Sequence, residues 1–178
     1  MKSALLIIDL QVALCRGDEA AFDIERVIER INAVTARARA AGVPVFVIQH
    51  EDAGPLRHGS PGWLVDDRLD TRGDDVRVRK TATDAFHRTE LQALLQARAV
   101  ERLIVCGLQS DFCIDSTVRR ALALGYPVVL LSDAHSTIDN GVLSAAQIVA
   151  HHTQTLRHVD SFGPRVTTVA AADLRVEA

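Results

Sequence analysis

Apolar residues along the chain gather into short continuous runs that alternate with helical patterns. Ala4-Leu-Leu-Ile-Ile8 is an unbroken run of the kind that forms a strand buried on both faces. Ile24, Val27, Ile28, Ile31, Val34 and Ala38 then recur at helical spacing, and Gly42 stops the helix. Val43 to Ile48 reads as a second strand, with Pro44 tolerable only near its start. Val76 to Val78 is a third. Thr89 and Gln92 have the spacing of a capping box ahead of Leu91, Leu94 and Leu95. Val100 to Cys106 predicts a fourth strand, and a helix follows from about Cys113 to Leu124, closed by Gly125. Pro127 to Leu131 predicts a fifth strand. Ser144 with Gln147 opens a last helix to about Leu156, and Val166 to Val169 reads as the final strand.

Strands alternating with helices imply an α/β fold, a parallel sheet covered on both faces. The 178 residues suit one domain, 1–178, able to bury a sizeable core. The segment from Glu51 to Asp75 breaks the rhythm. It holds Gly54, Pro55, Gly59, Pro61, Gly62 and Gly73 and is too long for an ordinary connection, so it reads as a substrate lid or pocket wall.

Composition narrows the function. A net charge of -3 without any block of like charge gives no support for a nucleic-acid or membrane partner. The apolar start of the chain is broken by Asp9, too early for a signal-peptide core. Three cysteines without metal-ligand spacing point to thiols in a reducing cytoplasm. No G-x-G-x-x-G follows the first strand, which argues against a dinucleotide site.

In a parallel sheet, ligands bind beyond the carboxyl ends of the strands. Those ends deliver Asp9 and Gln11, then Gln49 to Asp52, Lys80, the run Gly107 to Cys113, and Ser132, Asp133 and His135. Cys113 at a helix start is favoured as a thiolate, and a nearby lysine lowers its pKa further. A neighbouring carboxylate can take the thiol proton and return it to a leaving amine, while backbone N–H groups hold an oxyanion. Taken singly, each residue has a plain reading: Cys113 a packed thiol, Asp9 a cap, Lys80 a surface charge. Their arrival at one sheet edge favours chemistry. Cys106 reads as core, and Cys15 is undecided, leaning structural.

The stretches Leu5-Leu-Ile-Ile-Asp-Leu-Gln11, Arg79-Lys-Thr-Ala-Thr-Asp-Ala-Phe86, Val105-Cys-Gly-Leu-Gln-Ser-Asp-Phe-Cys113 and Ser132-Asp-Ala-His-Ser-Thr137 resemble the isochorismatase-like cysteine hydrolases. That superfamily includes nicotinamidases, N-carbamoylsarcosine amidohydrolases and ureidoacrylate amidohydrolases. The resemblance implies a three-layer, Rossmann-like fold with a six-stranded parallel sheet in the order 3-2-1-4-5-6. It implies a catalytic triad of Asp9, Lys80 and Cys113, a cis peptide between Leu108 and Gln109, and an oxyanion hole from the N–H groups of Gln109 and Cys113. The implied reaction is hydrolysis of a small amide, carbamoyl or ureido C–N bond through a thioester.

Cys113 favours that chemistry over the thiol-free ether cleavage of true isochorismatases. Ether, ester or lactam hydrolysis, and a non-catalytic thiol sensor or ligand-binding module, are the competing readings. His50, Glu51, Asp52 and His58 do not match the metal-site spacing of nicotinamidases, so no metal and no cofactor are expected. Gln11, His50, Trp63 and Phe86 are the expected substrate contacts, with Trp63 and Phe86 alternatively plugging the core or a subunit interface. His151 and His152, adjacent on one helix, do not share a face and read as one packed and one exposed. The family tendency implies a homodimer or homotetramer acting on a small molecule.

Overall fold

The computed structural model describes residues 1–176. Its sheet has six parallel strands in the order β3-β2-β1-β4-β5-β6. The strands are β1 (Ser3–Ile8), β2 (Val45–His50), β3 (Val76–Lys80), β4 (Arg102–Leu108), β5 (Val128–Ser136) and β6 (Val166–Val169). The helices are α1 (Val12–Cys15), α2 (Ile24–Ala40), α3 (Leu91–Ala97), α4 (Asp115–Ala123) and α5 (Ala145–Arg157). Among the described residues, no helix is long and apolar enough to cross a membrane.

All six residues of β1 are buried, because both faces of the sheet are covered. Leu5 and Ile7 pack with Val27, Ile31 and Val34 of α2 on one face. Ala4, Leu6 and Ile8 pack on the other with Leu91 and Leu95 of α3, Val118 of α4 and Leu156 of α5. Each Leu or Ile so buried stabilises the fold by roughly 1.5–3 kcal/mol, which makes this central strand the anchor of the site at its end. Cys106 and Cys15 both lie in the core against α2, which settles Cys15 as a packed residue.

Several boundaries differ from expectation for identifiable reasons. Pro44 lacks an N–H, and its carbonyl accepts from Leu5, so β2 starts at Val45, two residues later than expected, and runs on to His50. The Thr89–Gln92 capping box does not form: the Thr89 hydroxyl donates to the Ala85 carbonyl (2.6 Å), and Glu90 takes the cap position. The Ser144–Gln147 box on α5 is complete. β5 extends to Ser136 because its pairing with β4 jumps. Val105 lies opposite Leu130, but Gly107 lies opposite His135, so extra residues bulge out and return. Cys113 does not sit in the first turn of α4. It lies in a π-helical turn, Ser110–Ile114, that leads into that helix.

Candidate active site

The site forms where β1 and β4 separate. Gly107 has φ +114°, and a Cβ there would lie 2.1 Å from the Ile8 carbonyl oxygen, so only glycine lets the two strands approach this closely. Directly after Ile8, Asp9 adopts φ +55°, a left-handed conformation that Asp tolerates better than most residues. Its N–H still bonds the Ile48 carbonyl (2.9 Å), so the turn is tied to β2. On β3 the pattern Val76-Arg-Val-Arg-Lys80 alternates inward and outward, and Lys80 falls in the inward phase. Its strand partner is His50 at the end of β2.

These strand ends bring three groups together around one ammonium. Lys80 Nζ donates to Asp9 Oδ2 at 2.8 Å and to Cys113 Sγ at 3.1 Å. His50 Nδ1 lies 3.1 Å from the same nitrogen, and the Ala82 carbonyl accepts from it at 3.2 Å. Asp9 and Lys80 are each 1 % exposed and Cys113 8 %. The second carboxylate oxygen, Asp9 Oδ1, is buried without a hydrogen-bond partner. Asp9, His50 and Cys113 are the one group of potential metal-ligating side chains that converges among the described residues. The Lys80 ammonium already contacts all three and supplies the cation there.

The electrostatics correct the expectation of a resting thiolate. Burial and then the Asp9 charge push the Cys113 thiol up to about 12, outweighing the Lys80 charge that pulls it down. Burial alone would lower Lys80, yet the charges of Asp9 and Cys113 raise it, so it stays an ammonium. His50 is lowered by burial and then by Lys80, consistent with a neutral ring accepting from the ammonium.

A cleft of about 220 Å³ opens over the sulfur, lined by Asp9, His50, Gln109, Phe112 and Cys113, with Leu14, Asp52, Leu56 and Thr83 completing it. The peptide between Leu108 and Gln109 is cis. The Glu51–Asp75 segment supplies Asp52 and Leu56 to the cleft and is bolted in place elsewhere: buried Asp66 pairs with Arg16 and Arg68, both at 2.8–2.9 Å. Of the four residues expected at the substrate, His50 lines the cleft. Gln11 is fully buried, with its amide bonded to the backbone of His50 and Trp63, so it fastens the wall to β1 and does not border the cleft. Trp63 packs edge-on against His58, away from the cleft lining. Phe86 is 8 % exposed and stacks near Tyr126 in the core, beside Ala85, whose N–H is tied to Thr117 Oγ1 of α4 at 3.1 Å.

Glu51, Asp52 and His58 do not converge with His50: Glu51 and His58 reach Arg79, and Asp52 caps Gly54 and Leu56. Leu14, Leu56, Thr83 and Phe112 had no role in the sequence reading. Thr83 stands within the Arg79–Phe86 motif and Phe112 directly precedes Cys113, a signal that could have marked these two. His135 was placed at a strand end but given no role. It is 2 % exposed and bonds Ser110 of the π-helical turn that carries Cys113 at 2.7 Å. Of the histidine pair on α5, His151 is exposed and His152 is half-buried, 3.2 Å from Asp115 at the start of α4.

Residues 3–171 match the family model described as the isochorismatase domain. The chain belongs to the isochorismatase family. A solved structure described as an isochorismatase family protein superposes with a TM-score of 0.88 at 35 % identity, covering 95 % of this chain and 98 % of that one. A streptothricin hydrolase of Streptomyces noursei is 41 % identical over 138 residues, 76 % of this chain and 50 % of the relative. A ureidoacrylate amidohydrolase of Variovorax paradoxus is 28 % identical, over 82 % of this chain and 73 % of its own length. This isochorismatase-family chain thus spans about half the length of the first of these relatives.

Proposed function

We propose that this protein is a cysteine-dependent hydrolase of a small amide, carbamoyl or ureido C–N bond, acting through a thioester on Cys113. The observation that carries the reading is the single ammonium of Lys80 held between Asp9 Oδ2 and Cys113 Sγ at the floor of a cleft. The names of the relatives, a streptothricin hydrolase and a ureidoacrylate amidohydrolase, support hydrolysis of this kind.

At rest the sulfur keeps its proton. When a carbonyl carbon comes within reach, Sγ attacks it and the proton passes to Asp9 Oδ1, the buried acceptor with no other partner. The N–H groups of Gln109 and Cys113 hold the oxyanion. Asp9 then gives the proton to the leaving nitrogen, and ammonia or an amine departs. Water, deprotonated by Asp9, hydrolyses the thioester and frees the acid and the thiol. Lys80 remains protonated throughout and fixes Asp9 and Cys113 in register. His50 borders the substrate.

A redox sensor needs a thiol whose pKa is low enough for ready oxidation. A thiol pushed up to about 12 weighs against that reading. We place the protein in the cytoplasm, where its three free thiols stay reduced. We also read it as a single-domain homodimer or homotetramer. Exposed Phe22, Val142 and Leu143 support self-association, which sedimentation velocity checks.

The deciding experiment is a screen of small amides and ureides for ammonia or amine release, with Cys113→Ala and Asp9→Asn in parallel. Both variants are expected to lose activity by about 10³-fold or more while keeping their melting transitions. A thioester adduct on Cys113, caught by rapid quench and mass spectrometry, is the expected intermediate. Near-native turnover by either variant sinks the mechanism.

A further inference from the structure

The charges around the cleft divide unevenly. Among its lining residues, Asp9 is neutralised by Lys80, and burial and Lys80 hold His50 toward its neutral form. Asp52 is different. It pairs with no lysine, arginine or histidine within 4.0 Å among the described residues, although it borders the same cleft as Cys113. Its Oδ1 accepts from the N–H groups of Gly54 (2.8 Å) and Leu56 (3.0 Å), so the carboxylate is held in a fixed orientation, with Oδ2 uncommitted. Asp52 also borders the adjoining groove with Glu51, Arg57 and His58, but Arg57 does not line the cleft. Of the remaining lining residues, Leu14, Leu56 and Phe112 are apolar, and Thr83 and Gln109 are polar but uncharged.

We propose that Asp52 sets the charge of the substrate: the cleft takes an amide that carries an ammonium or guanidinium group beyond the scissile carbonyl, and it disfavours amides that carry a carboxylate. The substrate half of this inference rests on the hydrolase reading above. The charge half rests only on the cleft. A fixed carboxylate gains by accepting from a cation, and the absence of a lining cation leaves a carboxylate substrate with nothing to offset repulsion. Because Asp52 is itself exposed, the preference is modest and weakens with salt.

The test uses two thiol reagents of similar size and opposite charge, aminoethyl and sulfonatoethyl methanethiosulfonate. Each forms a disulfide with Cys113 and expels methanesulfinate. Labelling rates on the whole protein are divided by the rates with free cysteine, and Cys113→Ala identifies the site. The normalised cation-to-anion ratio is expected at about threefold to tenfold, falling as salt rises. Asp52→Asn, which keeps an oxygen for the Gly54 and Leu56 N–H groups, brings the ratio to about one, and Asp52→Lys inverts it.

A wild-type ratio of one or below overturns the proposal. So does a ratio that Asp52→Asn leaves unchanged, or a Cys113 that neither reagent reaches. In parallel, ammonium-bearing and carboxylate-bearing amides of matched length are compared by kcat/KM, with the difference expected in KM. If the labelling ratio behaves as stated but neither amide is hydrolysed, the hydrolase reading and the substrate half fall together, and the charge selectivity of the cleft stands.

Discussion

Two buried polar clusters flank the turn that carries Cys113, and they are built on opposite principles. On the cleft side, Lys80 gathers Asp9, His50 and Cys113, yet Asp9 Oδ1 is left without a partner. On the far side, Ser110, His135 and Thr153 form a closed chain. Thr153 Oγ1 donates to the Val149 carbonyl (2.7 Å), so it must accept from His135 Nε2–H at 2.9 Å. His135 Nδ1 is then the acceptor for the Ser110 hydroxyl. Every proton in that chain has one place to go. The first cluster is charged and incomplete; the second is neutral and complete. A buried unpaired acceptor costs about 1–3 kcal/mol, and it lies where the proposed mechanism delivers the thiol proton.

The largest expected effect comes from removing the cation of the incomplete cluster. Lys80→Met leaves Asp9 buried and uncompensated. Activity should fall by about 10³-fold or more, and stability by about 3–5 kcal/mol. Adding Asp9→Asn should recover much of that stability and none of the activity. Denaturant melts and turnover assays on the single and double variants check both halves. Restored activity in the double variant would show that the charge at Asp9 is not needed.

The closed cluster should matter to stability more than to rate. Burial first, and His152 second, lower His135 to about 4, against a smaller opposing pull from Asp133. Because the folded pKa lies below the ordinary value of 6.5, the unfolded chain binds the proton more readily between those values. Stability is therefore full above about pH 6.5 and falls as the pH drops toward 4, by about 3 kcal/mol. In His135→Asn this acid loss should vanish from urea melts taken across that window, and activity at neutral pH should drop less than about tenfold. A loss as large as that of Lys80→Met would erase the distinction between the clusters.

The thiol itself offers a third measurement. With Cys113 pushed up to about 12, iodoacetamide labelling should rise about tenfold per pH unit from 8 to 10 without a plateau. A plateau below pH 8 would mean that the sulfur rests as a thiolate, and the proton would not need Asp9 Oδ1.

The two clusters were unequally legible in the sequence. Asp9, Lys80 and Cys113 each follow a readable strand, and Lys80 continues the inward phase set by Val76 and Val78. The sheet order came from the resemblance and agrees with the observed pairing. His135 could not be assigned because its reach to Ser110 depends on the jump in β4–β5 pairing, and the polar Ser132 and Asp133 read as a strand's end. The π-helical turn around Cys113 has no marker in the residue types, so a helix start was expected there. The cleft wall was the hardest part. Asp52 and Leu56 lie in irregular chain whose path is fixed by Asp52 capping and by the Asp66 ion pairs, and neither feature has a period to read. Phe86 and Gln11 stand near Lys80 and Asp9 in sequence, but one turns into the core and the other into backbone hydrogen bonds.

The smallest effect is also the sharpest probe of closure. Ser110→Ala removes the donor to His135 Nδ1 and leaves that nitrogen buried and unpaired, since the ring's other nitrogen is committed to Thr153. The cost should be about 1–2 kcal/mol in a denaturant melt, with turnover changed less than about threefold. If the chain is closed as drawn, replacing His135 as well should add less than the sum of the two single losses, because the orphaned nitrogen disappears with the ring. Strict additivity would mean that Ser110 and His135 act independently, and that the turn beneath Cys113 is held by something other than this hydrogen bond.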